Sequence, residues 1–385
     1  MASDMPSSSS AVAALLLGLA PLTPATRAAC PDLPAWPADW SVAPWAATPD
    51  RVSAIDALES YAFPPRAPER EGIRTDSVLV VRGGTIAYER YADRYGPGSP
   101  HAAWSCAKSL TSALAGVALA HGALGLDDSI CRHLPAPGNH CDVTVRHLLQ
   151  LASGLDWTES YEGMPLQGSS VLAMLYGVGR DDMAGFVLSH GRRAPPGARW
   201  NYSSGDSVLL AAVVRAALEP RLGPDWPRVA LLDPLGMRSA TLERDASGTP
   251  VGSSLLHATP RDLARLGLLY LSDGCWHGER ILPEGFVAAS TAVSGPSRAP
   301  AARREAGDVY GFGWWLNRPV PDVGQPVPWP GVPEDAFAAR GHWGQLVAVI
   351  PSLGLVIVRT ADDREERAFD LARFLALAIA VGRER

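Results

Sequence analysis

Lysine is nearly missing from this chain. Of its 34 Lys and Arg residues only Lys108 is a lysine. We attribute the scarcity to a GC-rich coding bias, which makes the survivor informative. Arg replaces Lys at most surface positions. It does not replace Lys where a compact amine must lose its proton, because a guanidinium stays charged. Basic patches are missing too. The net charge is −6 and the pI about 5.9, with no run of five like charges. That excludes the electrostatic footprint of a nucleic-acid-binding protein. There is no Cys-x-x-Cys or His-Glu-x-x-His pattern, so neither a structural zinc nor a zincin site is indicated. We expect no metal and no organic cofactor.

What is present describes a globular protein. Hydrophobic residues make up 47% of the 385 and charged residues 19%, too apolar and too weakly charged for disorder. The length suits one large unit or two closely packed lobes. The run from Ala11 to Leu22 is followed by a Pro-containing stretch and by Ala28 and Ala29. It resembles the apolar core and cleavage region of a secretory signal, and it is too short to span a membrane comfortably. We therefore expect residues 1–29 to be a signal segment. The protein would be exported, periplasmic or secreted, with no stable membrane span afterwards. Cys131 and Cys141 bracket a Pro- and Gly-containing loop and could close a disulfide in an oxidising compartment. Cys30, Cys106 and Cys275 have no evident partners in the sequence.

Periodicity predicts a helix over 51–61, strands over 77–82 and 85–91 joined by a Gly83-Gly84 hairpin turn, and a buried helix over 105–121. Helices follow at 143–154, ending on Gly154, at 207–218 and at 259–274, where Thr259 is the cap and Pro260 the first helical residue. Strands return at 311–317, 337–341, 345–350 and 354–360. A Pro-rich loop spans 319–333. A helix over 366–381 closes the chain, with Phe369, Leu371, Leu375, Ala378 and Ile379 as its packed face. Strands at both ends and helices between them imply an α+β fold: an antiparallel sheet built from both chain ends, flanked by helices, with an inserted, mainly helical region. The sheet lobe covers about 50–100 and 305–385, the helical lobe about 105–300. The active site would lie at their seam.

Three short segments carry chemistry. In Ser105-Cys106-Ala107-Lys108, positions i and i+3 share a helix face, so the hydroxyl and the amine can meet. A serine is a poor nucleophile until a base takes its proton, and a lysine serves when burial lowers its pKa. The helix N-terminus offers N–H groups to a developing oxyanion. In Asn201-Tyr202-Ser203-Ser204, Tyr202 can relay protons between nucleophile and leaving group. In Gly341-His342-Trp343-Gly344-Gln345, small Gly344 would let a substrate backbone lie close to the strand edge. The Gln345 N–H could complete an oxyanion hole with that of Ser105. Taken singly, each segment also has a structural explanation, as a helix start, a loop anchor or a strand-start turn.

Together, Ser-x-x-Lys, Tyr-Ser-Ser and His-x-Gly in this order resemble the signature of the penicillin-recognising serine hydrolases, the class C β-lactamase-like family. TIAYERY, VRHLLQLASGLDW, PPGARWNYSSGD, TPRDLARLGLLYLSDG and GHWGQ extend the resemblance over roughly residues 50–380. They point to the branch of 6-aminohexanoate-dimer hydrolases and β-lactamase-fold esterases. The resemblance implies a β-lactamase/transpeptidase-like fold, Ser105, Lys108 and Tyr202 as catalytic residues, and His342, Gly344, Trp157, Tyr161 and Ser204 as substrate-binding residues. It implies a small-molecule ester or amide substrate. Glu159 and Asp156 read as loop caps, and Cys106 as a packed residue. Where the β-lactamases carry Lys-Thr-Gly, this chain has His342-Trp343-Gly344, which weakens the case for strong β-lactam hydrolysis. A β-lactamase or D-amino-acid peptidase is the nearest rival. A catalytically silent penicillin-binding-like domain is the second, and it would have no chemical need of Lys108.

Overall fold

The computed structural model describes Cys30, Trp40 and residues 48–135, 138–298 and 309–383. The expected signal segment, 1–29, lies outside them. The strands are β1 (Thr75–Arg82), β2 (Thr85–Tyr91), β3 (His101–Ala102), β4 (Thr241–Leu242), β5 (Leu256–Ala258), β6 (Cys275–Trp276), β7 (Glu279–Arg280), β8 (Trp315–Leu316), β9 (Phe337–Gly341), β10 (Gln345–Ile350) and β11 (Leu355–Ala361). The helices are α1 (Pro49–Ala62), α2 (Ala107–Ala120), α3 (Val145–Leu149), α4 (Ser170–Tyr176), α5 (Met183–Leu188), α6 (Ser204–Leu222), α7 (Pro260–Leu271), α8 (Phe286–Ser290), α9 (Gly295–Arg298) and α10 (Leu371–Arg383).

One antiparallel sheet joins the two ends of the chain, in the order β2-β1-β11-β10-β9-β8. Arg82 pairs with Thr85, so Gly83 and Gly84 form the two-residue turn, and β1 then pairs along β11 from Thr75 to Arg82. The central strands are buried on both faces, which explains their nearly continuous apolar sequences. Val78, Val80, Ala348 and Ile357 face Leu58 of α1 and Phe374, Leu375, Ala378 and Ile379 of α10. Leu79, Val81, Val347, Val349, Val356 and Val358 face the larger core, which takes in α7, α2 and α6. The helical insert docks on that second face, with α6 packed against α2, α3 and α5.

Several expected elements differ in extent. The helix expected over 143–154 is only Val145–Leu149, opened by a Thr144 capping box with His147. The Ser153 N–H and hydroxyl bond instead to the Asp206 carboxylate, at 3.1 and 2.7 Å, so a longer helix would have to give up that tie to α6. Only Trp315 and Leu316 of the strand expected at 311–317 pair with a neighbour. The Phe312 and Gly313 carbonyls accept from Ser112 and Ser109 of α2, at 2.8 and 2.6 Å. The last helix starts at Leu371, where the Asp370 carboxylate caps the Arg373 N–H. Its packed face includes Phe374, and Leu371 and Phe369 are only half-buried. The helix at 259 begins as expected, with the Thr259 side chain accepting from the Asp262 N–H ahead of Pro260.

The cysteines bring a correction. Cys131 and Cys141 are bonded, as the loop allowed. Cys30 and Cys275, which had no evident partners, are bonded to each other across 245 residues. The pairing ties the start of the chain to β6, a proximity that no spacing in the sequence reveals. Cys106 is the free, buried thiol.

Candidate active site

Ser105 lies in a 3-10 turn, Trp104–Cys106, that runs directly into α2. Trp104 before it sits at a φ of 47°, a left-handed conformation that costs a bulky residue about 1–3 kcal/mol and persists only where its surroundings hold it. Trp343, before Gly344, has a φ of 57°. The two indoles meet edge to face at 5.1 Å, and the Arg364 guanidinium lies over Trp343. The residues preceding Ser105 and Gly344 therefore brace each other. The end of β9 also abuts the nucleophile turn, since a Cβ on Gly341 would lie 2.3 Å from the Ala103 carbonyl oxygen.

Lys108, one helical turn on, is 3% exposed. Its ammonium nitrogen lies 3.2 Å from Ser105 Oγ, 3.0 Å from Ser204 Oγ and 3.1 Å from the Ser253 carbonyl oxygen. Burial pulls its pKa down from the usual 10.5 to about 8, and the Glu159 charge opposes part of that fall. Tyr202 lies beside the pair, with Lys108 Nζ 4.7 Å from its ring centre. Its ring stacks on Trp315 at 5.1 Å and meets Tyr310 edge-on at 6.1 Å. Burial pushes the Tyr202 phenol well above its ordinary range, while a hydrogen bond with Ser105 pulls the other way. Tyr202 is therefore a neutral hydroxyl at ordinary pH. Burial likewise pushes the Cys106 thiol up to about 12, so it stays protonated beside the serine.

The other expected site residues are placed unevenly. His342 stacks on Tyr161 at 4.8 Å, and its Nε2 lies 2.8 Å from Glu162 Oε1. It also meets Trp104 edge-on at 5.6 Å. The Gln345 side-chain amide is locked to Ala361, donating to its carbonyl at 2.6 Å and accepting from its N–H at 3.1 Å. That fixes the start of β10.

Three of the expected substrate-binding residues are engaged by the protein itself. Trp157 has no exposed surface. Its indole N–H donates to Glu159 Oε2 at 2.6 Å, and its ring packs near His190, which places it in the core. Ser204 is also fully buried and lies between Lys108 and Glu159. Gly344 is required by the backbone and its packing as well. Its φ is +87°, and a Cβ there would meet Arg359 Nη1 at 2.3 Å and Asp363 Oδ2 at 2.5 Å. The crowding comes from the protein behind the turn.

Glu159 is the residue that sequence reasoning underrated. Its carboxylate accepts from Ser204 N, Ser204 Oγ and Trp157 Nε1, at 2.9, 2.5 and 2.6 Å. The only sequence signal was an acid two residues after Trp157, which a loop cap explains equally well. Among the described residues, no group of three or more His, Cys, Asp or Glu is placed to hold a metal ion. The arrangement can activate a serine: a buried amine on the hydroxyl, a neutral phenol beside it and two braced turns at the ends of the constellation.

A family model described as "Beta-lactamase" matches residues 18–380. A curated 6-aminohexanoate-dimer hydrolase from Paenarthrobacter ureafaciens is 24% identical over 275 residues. The match covers 66% of this chain and 65% of that protein, just under two thirds of its length. Among solved structures, a beta-lactamase from Mycobacterium bovis superposes with a TM-score of 0.59 at 19% identity, over 86% of this chain and 100% of that one. EstCE1, described as a hydrolase with promiscuous acyltransferase activity, superposes with a TM-score of 0.62 at 18% identity, over 87% and 100%. At these identities the structural likeness shows the fold, which is β-lactamase/transpeptidase-like.

Proposed function

The chain belongs to the beta-lactamase family, and from that premise we propose that it is a serine hydrolase that cleaves an ester or amide bond through an acyl-enzyme on Ser105. The observation that carries this reading is the 3.2 Å approach of Lys108 Nζ to Ser105 Oγ, made by a buried lysine with a lowered pKa. Neutral Lys108 takes the serine proton as Oγ attacks the carbonyl carbon. The N–H groups of Ser105 and Gln345 receive the oxyanion. The bond to the leaving group breaks, and Tyr202, a neutral hydroxyl beside Ser105, passes the proton from Lys108 to the departing oxygen or nitrogen. Water then attacks the acyl-enzyme by the same route and frees Ser105.

The relatives and the surroundings of His342 support a substrate class. One relative is named as a 6-aminohexanoate-dimer hydrolase and another as a hydrolase with acyltransferase activity, which favours short esters and linear amides. His342 is engaged by Glu162, so that position brings no unopposed cation to a β-lactam carboxylate. We further propose that the protein works in an oxidising, extracytoplasmic compartment. Two disulfides support this, and no helix among the described residues is long and apolar enough to cross a membrane.

Incubation with a fluorophosphonate probe, followed by peptide mapping, tests the assignment. Labelling at Ser105, lost in Ser105→Ala together with p-nitrophenyl ester turnover, is the expected result. A folded protein that is not labelled, or is labelled elsewhere, would overturn it and favour a silent binding domain. Nitrocefin turnover exceeding ester turnover would move the substrate class to β-lactams.

A further inference from the structure

The hydrogen bonds around Lys108 leave one direction open for its lone pair, and the residue that keeps it open stands outside the proposed chemistry. A neutral lysine has two N–H donors and one lone pair. The Ser253 carbonyl can only accept, and takes one N–H at 3.1 Å. Ser204 Oγ, at 3.0 Å, takes the other, provided its own proton points elsewhere. That proton is committed to Glu159 Oε1 at 2.5 Å. The third direction is Ser105 Oγ, at 3.2 Å, where the lone pair must point for the amine to accept a proton.

Every partner of the Glu159 carboxylate is a donor. Oε2 receives the Trp157 indole N–H and the Ser204 N–H, and Oε1 receives the Ser204 and Tyr161 hydroxyls, the last at 3.4 Å. Only a group with two acceptor oxygens satisfies that set. An amide would turn an NH₂ toward donors, and the relief open to the site is for Ser204 to rotate and donate into the Lys108 lone pair.

Resting on the serine-hydrolase reading, we propose that Glu159 is the positioning residue of this site: through Ser204 it aims the Lys108 lone pair at Ser105. Its charge also faces the amine, together with Tyr202 and Ser204 from the start of α6 and Cys106 from the nucleophile turn. Arg340 of β9 acts on Tyr202 and Cys106 from the other side. Within that set Glu159 favours the protonated amine most strongly, ahead of Cys106.

Lys108 is the only lysine in the chain, so protein labelled with [ε-13C]lysine gives a single side-chain NMR signal to titrate. The wild-type signal is expected to titrate near 8, and in Glu159→Gln lower still. With a p-nitrophenyl ester, kcat should fall about tenfold to a hundredfold with KM nearly unchanged, the cost of a misaimed base. Ser204→Ala keeps the charge and removes the oriented hydroxyl, and should lower kcat alone. A folded Glu159→Gln with unchanged titration and kcat overturns the proposal. If that variant does not fold, unchanged kcat in Ser204→Ala overturns it. A wild-type signal titrating like an exposed lysine overturns it without any variant. Absent labelling of wild-type Ser105 would instead defeat the serine-hydrolase reading, so the two failures are distinct.

Discussion

Arg359 and Asp363 form an ion pair withdrawn from water, directly behind the turn that carries Gly344. Their side chains are 0% and 4% exposed, and the guanidinium meets both carboxylate oxygens at 2.7 and 3.0 Å. Arg359 also donates to the Gly344 carbonyl at 3.1 Å and to Thr75 Oγ1 at 2.9 Å, and its guanidinium lies over the Phe369 ring. The pair ties β11 and β1 to the His342–Gln345 turn. Removing one partner strands a buried charge, at a cost of about 3–5 kcal/mol. Arg359→Met should lower the urea midpoint accordingly and reduce ester turnover, because the Gln345 donor loses its support. A midpoint within experimental error of wild type would show that water reaches the pair.

Lys108→Arg should abolish most activity while keeping the positive charge. A guanidinium cannot give up its proton at working pH, and general-base assistance is worth about 10²–10⁴ in rate. Turnover of a p-nitrophenyl ester by the purified variant decides this. A variant with wild-type kcat would remove Lys108 from the role of base.

The pH dependence has a definite sign. In the proposed mechanism the active form of Lys108 is the deprotonated one, so kcat/KM should rise through a limb near pH 8 and be lost as pH falls below it. Stability moves the same way. The folded-state pKa of Lys108 lies below the ordinary 10.5, so folding expels a proton. The resulting penalty is full below about pH 8 and fades as pH rises toward 10.5. A pH–rate profile with its acid limb near the ordinary carboxylate range would point to a different base.

The two disulfides should contribute unequally. On chain-entropy grounds a bond closing 245 residues restrains the unfolded chain by about 5 kcal/mol, and one closing ten residues by about 3 kcal/mol. The pair Cys30→Ser and Cys275→Ser should therefore lower the melting temperature more than Cys131→Ser and Cys141→Ser. The opposite order would mean that the long tether is strained or incompletely formed.

The features legible in the sequence are those set over short distances. The Gly83-Gly84 turn, the apolar periods of the central strands, Thr259-Pro260 at the start of α7 and the helical spacing of Ser105 and Lys108 depend on neighbours within a few residues, and such preferences are written locally. The lone lysine was legible for the same reason: its chemistry belongs to the residue.

Which distant groups meet is set by the packing of the folded chain. Cys30 finds Cys275, Glu159 takes the N–H and hydroxyl of Ser204, and Gly344 makes room for Arg359 and Asp363. Trp157 and Ser204 turn inward for the same cause, because packing α6 against the 151–159 segment leaves them no surface. The strand expected at 311–317 shortens because Ser109 and Ser112 of α2 take carbonyls that a neighbouring strand would have used. Each outcome depends on a hydrogen bond or a close approach between segments far apart in the chain, and local propensity has no means of recording that.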